Sequence, residues 1–335
     1  MAKGNSVENG YQLPFEKVIT RLQRQIAEME AEQAKTGRDF SANIRELRVQ
    51  HVSLLRQTYA NLTPWETVQV ARHPSRPLSG DYIEQIVRNW VELHGDRRFA
   101  DDKAIRCGFG RIGTENLILL AQQKGRDTKE KIACNFGCAH PEGYRKALRA
   151  MKLAEKFHLP IVTLIDTQGA YPGVGSEERG VAEAIARNLL EMSRIRVPIV
   201  VVVIGEGGSG GALGVGVGDR MAMLEYAYYS VISPEGCASI LWRTGDKAAE
   251  AAEALKLTAK HLRDLDVIDS IVPEPLGGAH RNPTETAGNL ERYIVSALRE
   301  LKRLDADKLV QLRYERWRRM GKVLQAAPQG AAEGQ

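Results

Sequence analysis

Residues 198–204 read Pro-Ile-Val-Val-Val-Val-Ile, and residues 205–212 follow as Gly-Glu-Gly-Gly-Ser-Gly-Gly-Ala. An unbroken β-branched run of that kind is a strand buried on both faces, so it belongs inside a sheet covered on each side by helices. The segment after it carries almost no side chains, and what it presents is backbone N–H. Gly210, Gly211, Gly214, Gly216 and Gly218 lie in or beside the helix expected next. At roughly 0.8–1 kcal/mol each relative to Ala, they cost that helix several kcal/mol. Close approach of a ligand or of a second backbone is the usual compensation. The chain is therefore α/β, and a function at the glycines gains over a purely structural turn.

Three motifs fit these glycines. Gly205-x-Gly207-x-x-Gly210, with Glu225 further on, has the form of a dinucleotide fingerprint. Gly207-x-Ser209-x-Gly211 has the form of a hydrolase nucleophile elbow. The third reading is a pair of backbone amides at a helix N-terminus, facing an oxyanion. A P-loop is excluded, because no Lys-Ser/Thr follows. The dinucleotide motif belongs in the first βαβ unit, whereas these glycines follow at least two comparable units. A hydrolase needs an acid and then a histidine downstream; Asp246, Asp264 or Asp269 with His280 satisfy that order, but nothing in the spacing singles them out. Glu177 and Glu178 have an acid/base reading, yet Ser176 as N-cap with acids in the first turn accounts for them more simply.

Around this centre a unit repeats. A strand at 116–121 runs into Lys124-Gly-Arg-Asp-Thr-Lys-Glu-Lys131; a helix at 144–157 leads to a strand at 160–166 and the loop 167–175; a helix at 177–195 leads to the strand at 198. Pro160 and Pro198 each begin a strand that ends in a glycine loop. A strand–loop–helix period of about 40 residues results, with each loop at the C-terminal end of its strand, where open α/β sheets hold ligands. Before it, apolar spacing predicts helices over 14–35 and 40–60, with His51 on the stripe of the second: a charged helical hairpin, either an interface arm or a scaffold on its own core. A helix starts at Thr63-Pro64, and another runs from Asp81 through Trp90. Helices at 237–242, 248–257 and 258–265, a strand at 267–272 and two helices at 285–304 and 307–323 complete the chain. The divisions expected are a flexible tail at 1–10, a helical arm at 11–75, the main domain at 76–322 and a disordered tail at 323–335.

Composition narrows the function only by exclusion. A net charge of +5 over 335 residues, with basic and acidic residues interleaved, does not by itself imply nucleic-acid binding. No apolar run is long enough for a membrane span, and the polar N-terminus has no signal-peptide core, so a cytoplasmic location is expected. Cys107, Cys134, Cys138 and Cys237 are too scattered for a disulfide framework; Cys134 and Cys138 lack a second ligand pair, so no metal is expected. Lys124 and Arg126 are candidates to hold phosphate, although Asp127 and Glu130 dilute them.

Several long motifs, in order, carry a resemblance. They are Lys124-Gly-Arg-Asp-Thr-Lys-Glu-Lys131, Pro141-Glu-Gly-Tyr-Arg-Lys-Ala-Leu148, Gly169-Ala-Tyr-Pro-Gly-Val-Gly175, Glu177-Glu-Arg-Gly180, the glycine cluster 205–212, Ser230-Val-Ile-Ser-Pro-Glu-Gly-Cys-Ala-Ser-Ile-Leu-Trp242 and Leu276-Gly-Gly-Ala-His-Arg-Asn-Pro283. Together they resemble the carboxyltransferase α subunit of bacterial-type acetyl-CoA carboxylase over roughly residues 14–320. The resemblance implies a crotonase-like spiral of repeated ββα units behind an N-terminal helical hairpin. It implies carboxyl transfer from carboxybiotin, held on a biotin carboxyl carrier protein, to acetyl-CoA, giving malonyl-CoA for fatty acid synthesis. It also implies a zinc-ribbon-bearing β subunit in an α2β2 assembly, with biotin carboxylase as a further partner. Carried over, Gly210 and Gly211 form the oxyanion hole for the biotin ureido oxygen. Gly207, Gly208, Gly169, Ala170, Tyr171, Pro172 and Gly173 line the biotin pocket, Lys124 and Arg126 face CoA phosphate, and the thioester's oxyanion hole belongs to the β chain. Gln168 stands where the family usually has Pro, and Cys134 where a basic residue is common. The competing readings are a serine hydrolase using Ser209 and a noncatalytic scaffold.

Overall fold

The β-branched run sits mid-sheet, as its composition requires. In the computed structural model, which describes residues 11–321, eight strands form one sheet: β1 Val87–Leu93, β2 Ile105–Ile112, β3 Glu115–Gln122, β4 Ile161–Thr167, β5 Ile199–Gly208, β6 Arg220–Leu224, β7 Tyr228–Ser230 and β8 Ser270–Val272. The tails expected at 1–10 and 323–335 lie outside the described residues. The order is β1-β2-β3-β4-β5-β6-β8, with β7 pairing the far end of β5. The first three strands are antiparallel and the rest parallel. Helices Pro141–Lys156 and Val181–Arg194 make the crossovers into β4 and β5. Every residue of β4 and of β5 is buried, which explains why these strands read as solid apolar runs rather than alternating ones. Because β3, β4 and β5 are parallel, Gln122, Thr167 and Gly208 end on one edge of the sheet.

Four expectations need correction. The helix begun near Asp81 stops at Ile86, and Val87–Leu93 is a strand. Tyr82, Ile83 and Ile86 do keep helical spacing, but beyond them the pairing with β2 wins. Gly108 and Gly110 on β2 leave the room that the hairpin needs: a Cβ on Gly108 would lie 2.6 Å from the Trp90 ring, and one on Gly110 would overlap Val87. β2 itself carries no sequence signal, having two glycines and two arginines among its eight residues. The helix expected at 177–195 is two, Val174–Glu178 and Val181–Arg194, broken at Gly180 with φ +76°. Ser176 is not its cap; Gly173 holds that position, and the Ser176 hydroxyl is 2.7 Å from His140 Nδ1.

The fourth correction concerns the centre. The chain does not turn at Gly205. β5 continues through Gly208, because Glu206, Gly207 and Gly208 pair with Tyr228, Tyr229 and Ser230 of β7. The helix after it, Ser209–Leu213, has five residues, so only Gly210 and Gly211 of the five glycines fall inside it.

The helical arm is present as Lys17–Thr36 and Ser41–Ala60. Its base is anchored: Leu13, Ile19, Leu55 and Tyr59 cluster with Val70 and Tyr226. Glu16, 3% exposed, accepts from Tyr59 at 2.8 Å and from Arg281 at 2.5 Å. Next to this junction the rings of His73 and His280 stack at 3.8 Å and 14°. Burial lowers the pKa of both, that of His280 to about 3. The arm also carries exposed apolar side chains, Val18 beside the base and Val49 on its second helix.

Candidate functional site

Backbone meets backbone where β4 and β5 end. A Cβ on Gly208 would overlap the carbonyl of Gln168, and one on Gly211 would overlap Gly169 and lie 2.6 Å from the Ala170 nitrogen. No residue but glycine fits either position without moving the main chain. The loops 169–175 and 205–212 are thereby one structure, joined at their glycines. Gly210 differs: its nearest neighbour would be Ile185 at 3.7 Å, and Gly169 faces open space within 4 Å. The glycines are thus divided in purpose, with Gly208 and Gly211 facing the neighbouring loop and Gly210 and Gly169 facing outward.

Ser209 makes the bend. It sits at φ +50°, a left-handed conformation uncommon for a residue with a side chain. The bend sends the short helix away from the strand and leaves the N–H groups of its first turn without intrahelical acceptors. Among the described residues no histidine hydrogen-bonds to Ser209: His140 is engaged with Ser176, His261 with Thr258, His94 with Asp101, and the His73 ring with the Ser75 N–H. His280 lies buried against His73. The elbow geometry is present, but without a base, and the hydrolase reading is not favoured.

Beneath the glycines lies a charged cluster that sequence reasoning missed. Lys124, just past β3, contacts Asp166 of β4 at 2.7 Å and Glu206 of β5. Arg72 reaches Glu206 at 2.7 Å, Glu235 at 2.5 Å and the Tyr228 hydroxyl at 3.0 Å. Tyr228 donates to Glu206 at 2.6 Å. Burial works to raise the Glu206 pKa, but Lys124 and Arg72 outweigh it and lower it to about 2. Burial likewise opposes the charge on Lys124, and Asp166 and Glu206 reverse that effect and hold it cationic. A second pair, Arg76–Glu274, at 2.9 and 2.5 Å, adds a bond from Arg76 to the Ile204 carbonyl at 3.0 Å. The readable signal was an acid at the end of each buried strand, in Ile-Asp166 and in Gly-Glu206-Gly, since a charge in that setting requires a partner.

This cluster forms the floor of a cavity of about 270 Å³ whose lining includes His73, Arg126, Phe136 and Gln168. Of the two basic candidates, Lys124 is bound to two carboxylates, and Arg126, half exposed, pairs with Asp81. Tyr171 lies over the His140 ring, with centroids 4.2 Å apart. Among the described residues no three His, Cys, Asp or Glu side chains group so as to hold a metal ion, and no helix is long and apolar enough to cross a membrane.

Comparison with known proteins extends this geometry. The family described as acetyl co-enzyme A carboxylase carboxyltransferase-like matches residues 12–321. An acetyl-coenzyme A carboxylase carboxyl transferase subunit alpha from Geobacter metallireducens is 54% identical over 312 residues, 93% of this chain and 98% of the relative. The protein of that name from Azoarcus is 50% identical, covering 94% and 98%. Among solved structures, the transcarboxylase 12S core with methylmalonyl-coenzyme A bound superposes with a TM-score of 0.55 at 19% identity, over 76% of this chain and 44% of the other. A Pseudomonas malonate decarboxylase hetero-tetramer in complex with coenzyme A gives 0.55 at 16% identity, over 67% and 88%. The crotonase-like fold expected from the sequence is the one these neighbours share.

Proposed function

This chain belongs to the acetyl co-enzyme A carboxylase carboxyltransferase-like family, and on that premise we propose that the Gly210 and Gly211 N–H groups are its oxyanion site. It is a biotin-dependent carboxyltransferase α subunit, acting with a β subunit in making malonyl-CoA from acetyl-CoA. The observation carrying the site assignment is the division among the glycines: Gly211 closes on Gly169 and Ala170, while Gly210 and Gly169 stay open to a ligand.

Carboxybiotin, delivered by its carrier protein, supplies the carboxyl group when bound. A ureido oxygen suits the site, because the first-turn N–H groups converge where no side chain intrudes. Two such donors, fixed before the reaction, stabilise a developing oxyanion by about 2.7–4 kcal/mol each. Gly207 and Gly208 hold the donors at the end of β5, and Ala170, Tyr171, Pro172 and Gly173 form the adjoining wall of the biotin pocket. No side chain beside the donors is free to act as a strong base: Glu206 is kept ionised by Lys124 and Arg72, and both its oxygens are engaged. The chain's own contribution is therefore to bind, orient and stabilise charge. The thioester's oxyanion hole is assigned to the β subunit, and Arg126, with Lys124 behind it, to the edge where CoA phosphates approach. The assembly proposed is α2β2 in the cytoplasm, with biotin carboxylase supplying the carboxylated carrier.

The test reconstitutes the chain with its β subunit and biotin carrier and follows malonyl-CoA. Gly211→Pro deletes one donor and is expected to cut turnover by roughly 10²–10³, while Ser209→Ala stays within about threefold of wild type. Because proline also fixes φ, assembly and melting temperature are checked alongside. Loss of turnover in Ser209→Ala, with covalent labelling of Ser209 by a fluorophosphonate, would overturn the oxyanion reading.

A further inference from the structure

The helix that carries the donors cannot orient itself. It has five residues, two of them glycine, and its N-cap, Gly208, offers no side-chain bond. Its C-terminal hydrogen bonds tighten: Gly214 N–H bonds to the Gly210 carbonyl at 2.9 Å, but Val215 N–H bonds to the Ala212 carbonyl at 3.3 Å rather than to that of Gly211. The Gly211 carbonyl is thus left without an intrahelical donor, in a place where water does not reach, since Gly211 is buried.

Gln122 fills that vacancy from another element. It is the last residue of β3 and 1% exposed. Its Nε2 donates to the Gly211 carbonyl at 2.8 Å, and its Oε1 accepts from the Asp166 N–H at 3.2 Å. Its own carbonyl accepts from the Ser79 hydroxyl at 2.7 Å. The Tyr144 hydroxyl also approaches the Gly211 carbonyl, at 3.5 Å, a weak second contact. One amide therefore ties the peptide after the donors to the main chain of β4. Neither contact involves a reacting group, and the function does not otherwise use this side chain.

We infer that Gln122 is a positioning residue for carboxyl transfer: its amide fixes the peptide plane beside Gly211 and so aims the Gly210 and Gly211 N–H groups. The inference rests on the oxyanion reading above. Its chemistry is specific, since the site needs a donor toward Gly211 and an acceptor toward Asp166 in one side chain. A glutamate of the same shape keeps the acceptor and, when ionised, sets a second acceptor against the Gly211 carbonyl. When protonated, its O–H restores the donor. Burial favours the protonated form, so the restoration falls within reach of ordinary assay pH. The titratable groups nearest are Tyr144, over the same carbonyl, and the Asp166–Lys124 pair, together with Arg106 of β2 beside Gly80 and Gln123. All are present in wild type and variant; the new carboxyl couples to the Asp166–Lys124 pair, so the ratio of the two reads its apparent titration.

The experiment uses the full chain reconstituted with its β subunit and carrier, comparing wild type, Gln122→Leu, Gln122→Glu and Gly211→Pro. Gln122→Leu is expected to lower kcat about tenfold or more, with KM for acyl-CoA within about twofold. Hydrogen exchange of the 207–214 segment should rise in that variant, and that of the Asp166 amide, which loses its acceptor, with it, while the rest of β4 holds. Gln122→Glu is expected to lose kcat similarly at pH 8.5 and to recover toward wild type as pH falls to 6. A flat ratio of Gln122→Glu to wild type across that range, or both Gln122 variants within twofold of wild type while Gly211→Pro is inactive, overturns the role of Gln122 and leaves the oxyanion site standing. Full activity in Gly211→Pro overturns the oxyanion site itself. Should Gln122→Leu fail to assemble, the pH ratio of Gln122→Glu decides alone.

Discussion

Glycine and charge alternate at the end of β5, and the two regions they build use opposite means. Above, at 207–211, there are hardly any side chains, and the first-turn N–H groups lack intrahelical acceptors. Below, around Glu206, carboxylate oxygens, ammonium and guanidinium contact one another, with Tyr228 donating into the same set. The upper region gains by leaving polar groups unsatisfied until a ligand arrives. The lower one gains by satisfying them at once, because unpaired buried charge is costly. The contrast teaches how a flexible residue type can form a rigid site. The glycines need not be stiff, because the strand ends that hold them are locked by ions one residue away.

Breaking the lower region tests this most strongly. Glu206→Ala leaves Lys124 and Arg72 each short of a partner and is expected to cost about 3–5 kcal/mol, measured by denaturant unfolding of the purified chain. A cost below about 1 kcal/mol would mean that the ions do not lock the strand ends. The upper region is sharpened by two alanines one residue apart. Gly211→Ala drives a Cβ into Gly169 and should lower kcat by about 10² or more. Gly210→Ala meets only Ile185 at 3.7 Å within the chain and should leave the melting temperature unchanged, its cost in kcat confined to the ligand-facing side and smaller than that at Gly211. Equal losses at the two positions would erase the distinction between inward and outward glycines.

A further effect concerns pH. His280 has a folded pKa of about 3 against 6.5 for the free side chain. The unfolded chain therefore binds more protons below about pH 6.5, and stability present above that pH is lost as pH falls toward 3. From this group the unfolding constant should grow by up to about tenfold per pH unit in that window. Replacing His280 with Phe keeps the stack on His73 and should flatten the dependence between pH 7 and 5. An unchanged slope would show that His280, unlike the Glu206 cluster, does not couple folding to protons.

Much of the upper region was legible in the sequence, and the lower was not. The run at 199–204 and the glycines after it announce a buried strand and a bare loop without any partner in view. The helices of the crossovers were legible too, since Ala147, Ala150, Met151 and Ala154 keep one buried face. By contrast, Arg72, Lys124, Asp166, Glu206, Tyr228 and Glu235 span 163 residues, and only the fold brings them together. β1 and β2 escaped for a related reason. Val87 continues a helical stripe, and what turns it into a strand is room left by Gly108 and Gly110. Gln122 was hidden in the same way, because a polar residue ending a strand reads as a simple stop.

The Glu16–Arg281 bond joins residues 265 positions apart, which bears on how the chain is made. The helical arm leaves the ribosome well before the guanidinium that neutralises its buried acid. At about 5–20 residues per second, the interval is about 13–53 s. Through that interval Glu16 has the Tyr59 hydroxyl but no cation beside it, and loop closure over such a distance is slow as well as late. The acid at the base of the arm is thus made early and neutralised late, and chains cut short before Arg281 should keep the apolar base but hold it less tightly.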